Sequence, residues 1–220
     1  MPKSKRNRVV PLTQTEKKGR AGKDALYEQI RESVDKFKYI WIFSVANMRN
    51  TYLKNVRADW KHSRFYFGRT KVMAKALGTS PEDEYQDGLS KFASQLVGDV
   101  GLLFTDVAPD QVKEYFSNLR ESDYARSGVV ATEDYVVPAG PVHRGEDPFP
   151  HNMEPQLRLL GMPTILKNGI VTLTNDYRIC KEGQTLTPAQ AQLLKLFYVQ
   201  MADFHVELKS YFHSGEVHRV

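Results

Sequence analysis

Eight residues, Tyr39 to Ala46 (YIWIFSVA), constrain the fold more than any other stretch. The run is short, mostly apolar, and rich in aromatic and β-branched side chains, so it reads as a buried strand. Amphipathic stripes flank it. Leu26, Ile30, Val34 and Phe37 recur every three or four residues before it, and Met48, Tyr52, Val56 and Trp60 follow it. Each stripe predicts a helix that buries one side. Arg64 to Phe67 reads as a further strand. It runs through Gly68-Arg69-Thr70-Lys71 into a short helix, Val72 to Leu77. Ser80-Pro81-Glu82 predicts another helix start, with Tyr85, Leu89, Phe92 and Leu96 as its buried stripe. Gly101 to Thr105 reads as a third buried strand, and Pro109-Asp110 opens a helix carrying Val112, Phe116 and Leu119. Helices alternating with apolar strands give the fold class: a layered α/β domain.

After Arg120 the texture changes. Residues 138–155 hold five of the eleven prolines. Around this irregular stretch lie Val129–Val137, a short helix near Glu154–Leu160, and a hairpin. The hairpin joins Thr164–Leu166 to Ile170–Leu173 through Lys167-Asn168-Gly169, where Asn-Gly tolerates a tight turn. Tyr177–Cys180 extends the sheet. This is a smaller α+β domain. Thr187-Pro188 then caps a long helix whose stripe is Leu193, Phe197, Met201, Phe204, Leu208 and Phe212. A stripe that long needs a substantial partner, so the helix is expected to return to the first domain, making the smaller domain an insertion. The expected organisation is a disordered basic arm over 1–23, an α/β domain over 24–124 plus 188–214, and an inserted domain over 125–187.

The net charge is +5, but it is unevenly spread. Residues 1–23 hold eight Lys/Arg against one acid, Glu16, and residues 47–75 hold eight against Asp59 alone. Each segment is therefore +7, on a remainder of −9. Two such segments on an acidic body predict a side that faces a polyanion. Lys3, Lys5, Arg6 and Arg8 also fit a nuclear import signal. The alternative reading is a solvated tail and a solvated helix.

Other classes lack support. No stretch reaches the roughly 18 apolar residues of a membrane span, and the N-terminus has no secretory apolar region. One cysteine, Cys180, fits a reducing compartment and a small core residue. The phosphate-binding loop pattern, the Gly-x-Ser-x-Gly elbow and the His-Glu-x-x-His motif are absent. His143 and His151 are separated by a proline-rich loop that reads as solvated. The expectation is therefore no catalytic residue, no metal ligand set and no cofactor.

Gly68–Lys71 stands out. A glycine between a strand and a helix lets the backbone approach a ligand. The helix start offers free N–H groups and the positive dipole end, which favour phosphate. The candidate RNA-binding residues are Gly68, Arg69, Thr70, Lys71 and Lys75, with Arg49, Lys54, Arg57 and Lys61 extending the surface from the preceding helix. Phosphate contacts of this kind position a nucleic acid without reading its sequence.

Residues 24–105 resemble the first domain of the large-subunit ribosomal stalk-base family, called L-ten in bacteria and P-zero in eukaryotes. The resemblance lies in Lys38–Ser44, Gly68–Leu77 and Val100–Thr105. Met153–Leu157, Leu160–Thr164 and Cys180–Pro188 resemble the inserted domain of archaeal and eukaryotic members. Stalk proteins tend to have Gly-Lys-Asn-Thr where this chain has Gly-Arg-Thr-Lys, so only Gly68 and the cation at 69 carry over. They also continue past the expected long helix into stalk-binding segments and an acidic tail. This chain ends at Val220 and carries a basic arm, which resembles the ribosome-assembly paralogues of the family.

The resemblance implies a large (60S) subunit assembly factor bound to 25S/28S-type ribosomal RNA at the stalk base. There it acts as a placeholder during rRNA processing and subunit maturation. Implied partners are the large-subunit ribosomal RNA, the neighbouring L-eleven-type stalk-base protein, the pre-60S particle and a release factor of the dual-specificity-phosphatase type. The implied place is the nucleus and nucleolus, with shuttling to the cytoplasm on pre-60S particles. The alternative is a structural stalk-base protein of the mature subunit. An enzyme acting on RNA is the third reading, for which residues 47–75 offer only Asp59 and His62.

Overall fold

The computed structural model describes residues 19–220. The import-signal reading of Lys3, Lys5, Arg6 and Arg8 lies outside the described residues, as does the arm up to residue 18. The last residues of the expected arm are structured, however, because α1 (Ala21–Lys36) begins within it. Next come β1 (Tyr39–Ala46), α2 (Asn50–Asp59), β2 (Arg64–Tyr66), α3 (Thr70–Leu77) and α4 (Leu89–Ala93). Then follow β3 (Val100–Thr105), α5 (Pro109–Asn118) and β4 (Arg120–Asp123). Four short strands come after: β5 (Tyr135–Val137), β6 (Gly140–Pro141), β7 (His143–Arg144) and β8 (Asp147–Pro148). The chain continues through α6 (Glu154–Leu159), β9 (Thr164–Lys167), β10 (Ile170–Leu173) and β11 (Tyr177–Cys180). It ends in α7 (Pro188–Leu196), β12 (Ala202–His213) and β13 (Glu216–Arg219).

These elements form two compact units. The first takes in residues up to Ser44, Arg57–Val112 and Leu208–Val220; the second is Val45–Val56 with Lys113–Glu207. In the first unit the sheet runs β13-β12-β1-β3-β2. β1 and β3 are antiparallel, with Ile40 opposite Phe104 and Ile42 opposite Leu102. These four side chains face Ile30 of α1, Met73 of α3 and Phe92 of α4 in one core. Strand residues alternate faces, yet Trp41 and Phe43 between them are also buried. Both faces of β1 are therefore covered, as its unbroken apolar run predicts. Tyr211 packs on Trp41 with ring centroids 4.5 Å apart. The mixed α/β class stands.

In the second unit a three-stranded sheet runs β6-β10-β9 and a two-stranded one pairs β11 with β5. β7 and β8 form a small hairpin. Its core holds Val142, Phe149, Leu157, Val171, Ile179 and Leu193. The β9–β10 turn falls on Asn168 and Gly169, with φ 51° and 80°, the positive values a two-residue hairpin turn requires. Glu154 is buried, and its carboxylate accepts from Arg158 at 2.6 Å and from the Thr164 hydroxyl at 3.3 Å, tying α6 to β9. Cys180 is a buried core residue, and burial pushes its thiol above the ordinary range.

Two expected helices are corrected. The long C-terminal helix over 188–214 does not form. Thr187 caps the helix as expected, and the structure adds Gln190 as its partner in a capping box, but α7 stops at Leu196. Tyr198 takes φ 61°, and the N–H groups of Tyr198 and Val199 donate to the carbonyls of Lys195 and Leu194, closing the helix end. The chain then becomes β12, whose buried residues alternate at Ala202, Phe204 and Val206, then at Ser210 and Phe212. A spacing of four is also an even number, so Phe204, Leu208 and Phe212 line one side of a strand as well as a helix. α7 does not return to the first domain either; Leu193, Leu194 and Phe197 enter the second unit's core. After α7 the chain re-enters the first unit only at Leu208.

The helix expected from Ser80 is likewise reduced to Leu89–Ala93. Gly88 sits at φ 86°, and a Cβ there would lie 2.4 Å from the Gly215 carbonyl oxygen. That backbone approach fixes a left-handed residue where the expected helix would have continued.

Candidate nucleic-acid interface

α3 starts abruptly. Arg69 is its capping position, with extended backbone and no side-chain cap, and the Arg69 carbonyl accepts from Val72 N at 2.8 Å and Met73 N at 3.1 Å. The first-turn N–H groups of Thr70 and Lys71 have no intrahelical acceptor, as in any helix. Gly68 precedes this start for a packing reason. Its backbone is not left-handed, and a Cβ on it would lie 2.6 Å from Leu26 Cδ2 of α1. The glycine lets α1 and the start of α3 approach closely.

That approach brings two helix N-termini together. One groove, about 590 Å³, is lined by Arg20, Lys23, Leu26, Arg69 and Val72, with Gly19 and Gly22. Three cations and no acid line it. The adjoining groove, about 600 Å³, adds Lys71 and Lys75 to Arg20 and Lys23, facing Asp24 and Glu28. Arg20 and Asp24 approach to 3.9 Å while both stay largely exposed, a pairing of little energetic weight. Two positive dipole ends and five cations thus share one strip of the first unit. N–H donors and positive charge on one strip are the chemistry that phosphate oxygens would need.

The predicted residues divide between the units. Arg69, Lys71 and Lys75 line the grooves, and Gly68 and Thr70 sit at the helix start beside them. Arg57 and Lys61 are exposed in the same unit, outside the grooves. Arg49 and Lys54 belong to the second unit. Lys54 is exposed, whereas Arg49 is ion-paired with Asp123 and donates to the Tyr124 carbonyl at 2.9 Å. Arg20 and Lys23 are the residues that sequence periodicity missed. Ala21 and Gly22 carry no apolar stripe, so nothing local marks the helix start there.

Another arginine is taken by the scaffold. Arg31 lies over the rings of Tyr27 and Tyr85, at 4.4 and 4.8 Å, and donates to the Ala76 carbonyl at 3.2 Å. Tyr85 in turn donates to Asp35, which raises its phenol above the ordinary range. Among the described residues no three His, Cys, Asp or Glu side chains converge as metal ligands would. No helix among them is long and apolar enough to cross a membrane.

Comparison with known proteins finds two successive family matches along the chain. Residues 18–121 match the family described as "Ribosomal protein L10", and residues 125–199 match the insertion domain described for the 60S ribosomal protein of the L10 type. A Schizosaccharomyces pombe protein, "Ribosome assembly factor mrt4", is 52% identical over 96% of this chain and 91% of its own length. Its Neurospora crassa counterpart of the same name is 46% identical over 99% and 92%. The chain belongs to the Mrt4 family of ribosome assembly factors. By contrast, "Large ribosomal subunit protein uL10" of Oxybasis rubra is 25% identical over 90% of this chain and 61% of its own length. The Mrt4 family is thus a paralogous branch of the L10 proteins. In this Mrt4-family chain the paired helix starts lie within the L10-matched residues, while Tyr198 and the helix before it lie within the insertion match.

Proposed function

We propose that this protein is an assembly factor of the large ribosomal subunit that binds ribosomal RNA at the stalk base of pre-60S particles. It holds the place that the stalk protein later takes, so the particle stays translationally inert until the exchange. The observation that carries the reading is the cation-lined meeting of the α1 and α3 N-termini, in a chain of the Mrt4 family. The grip falls on Gly68, Arg69, Thr70, Lys71 and Lys75, with Arg20 and Lys23 beside them. The protein acts by occupancy and catalyses nothing. Its neighbours are the L-eleven-type stalk-base protein on the same particle and a release factor of the dual-specificity-phosphatase type. It works in the nucleus and nucleolus and travels with pre-60S particles, and Lys3, Lys5, Arg6 and Arg8 direct import.

The test is binding of the full chain to a stalk-base RNA fragment across salt concentrations. Arg69→Glu with Lys71→Glu weakens binding and flattens the log–log salt slope by about 0.7–0.9 per lost phosphate contact. An unchanged slope removes the helix starts from the interface. The second reading is a permanent protein of the mature subunit. The much higher identity to assembly factors than to uL10 disfavours it, and enrichment of tagged protein in translating polysomes would establish it.

A further inference from the structure

A second cation-rich groove lies wholly within the second unit. It is about 660 Å³, and its charged lining is Arg49, Arg126, Arg144 and Lys195, with no acid. Arg49 is engaged by Asp123. The other three form no ion pair among the described residues, and Arg126 and Lys195 are exposed. Glu146 and Asp147, on the same hairpin as Arg144, do not line the groove.

The groove also carries an aromatic platform. Tyr198 lines it and is 59% exposed, unusual for a ring of its size. The Arg144 guanidinium lies 4.5 Å from the Tyr198 ring centroid and 5.6 Å from that of buried Phe149. Stacking occupies the faces of a guanidinium and leaves its N–H edge able to donate. Tyr198 itself is displayed at a cost. It holds φ 61° at the helix-end position that glycine usually fills, a left-handed conformation unfavourable for an L side chain. Residues strained in this way cluster at functional sites.

We infer that this groove is a second RNA site, in which Arg126, Arg144 and Lys195 hold the phosphates of a single-stranded segment while Tyr198 stacks on one of its bases. Charge alone would suit an acidic peptide equally well. The exposed ring among unpaired cations favours a nucleic acid, because bases stack on aromatic side chains while the backbone follows the charge. The inference rests on the reading that the chain binds RNA and adds an independent contact from the inserted sequence. An assembly factor with two RNA grips on separate units would hold its site against exchange more firmly than one grip allows.

The probe is a 12-nucleotide oligouridine, titrated into the full chain and followed by fluorescence anisotropy. Arg126→Glu, Arg144→Glu and Lys195→Glu together raise its Kd at least tenfold. They also lower the salt slope by about 2, three contacts at roughly 0.7 each. Tyr198→Gly suits the left-handed backbone, so the variant melts no lower than the wild type, yet its Kd rises roughly tenfold, the scale of one lost base stack. Tyr198→Phe restores binding. Ultraviolet crosslinking of the bound uridine falls on the peptide containing Tyr198. An unchanged Kd in the triple variant, or a crosslink confined to α1 and α3, overturns the inference. So does competition by a 12-residue polyglutamate as effective as by oligouridine, which would assign the groove to acidic peptides. Retention of the stalk-base fragment by the triple variant, with loss of oligouridine, separates this site from the first. Failure of the wild type to bind the fragment at all defeats the proposed function itself.

Discussion

Arg49 is ion-paired with Asp123, and its guanidinium also donates to the carbonyl of the next residue, Tyr124. The Asp123 side chain is only 14% exposed and the Arg49 side chain 28%. Both therefore give up much of their hydration to meet. Arg49→Ala leaves the carboxylate partly desolvated with fewer donors, and should cost about 1–3 kcal/mol in urea unfolding. Asp123→Ala should cost a similar amount. The double variant should lose less than the two single losses added together, and strict additivity would show that the pair is not coupled.

Gly68 and Leu26 give a packing prediction. A methyl group at 68 would overlap Leu26 Cδ2, the flexible tip of a side chain. Gly68→Ala should therefore destabilise by about 1 kcal/mol, the low end for overpacking, since the tip can rotate aside. In a Leu26→Ala background the same substitution should be close to neutral. An equal cost in both backgrounds would place its origin elsewhere.

Glu84 gives a pH prediction. The Ser90 hydroxyl, the Ser90 N–H at 3.0 Å and the Gly88 N–H hold its carboxyl below the ordinary glutamate range. The folded pKa is lower than the unfolded one, so the contribution is complete above the unfolded value of about 4.3. It is lost as pH falls through the depressed folded value. Glu84→Gln should therefore narrow its stability gap to the wild type as the medium is acidified through that window. A constant gap across the window would mean that the carboxylate form is not the one bound.

Cys180 is buried, and desolvation, the main cause, raises its thiol pKa. Alkylation needs the exposed thiolate. Native protein should resist iodoacetamide at neutral pH, and labelling should rise with urea in step with the loss of tertiary structure. Rapid labelling of the folded protein would show that β11 opens locally.

How far the sequence could be read depended on the range of the forces involved. β1 and β3 were legible because an unbroken apolar run must be covered on both faces wherever it goes. The Asn168-Gly169 turn and the Thr187-Pro188 helix start were legible because their geometry is closed within four residues. Arg69, Lys71 and Lys75 were legible as charge beside a helix start. The second half of the cationic strip was not, because Arg20 and Lys23 follow small residues without a stripe.

The sequence by itself determined the mixed α/β class, the two textures of the chain, the basic start of α3 and the family. Each depends on composition, local spacing or ordered residue matches. Tertiary structure alone decided that Ala202–His213 is a strand, since a repeat of four suits both periodicities and only the available partners separate them. It decided that Arg49 answers Asp123, and that the helix starts at Arg20 and Arg69 share a groove. It also set Tyr198 against Arg144. The physical reason is common to all four. Burial and charge pairing are properties of surfaces brought together from distant parts of the chain, and no local window of residues contains both surfaces.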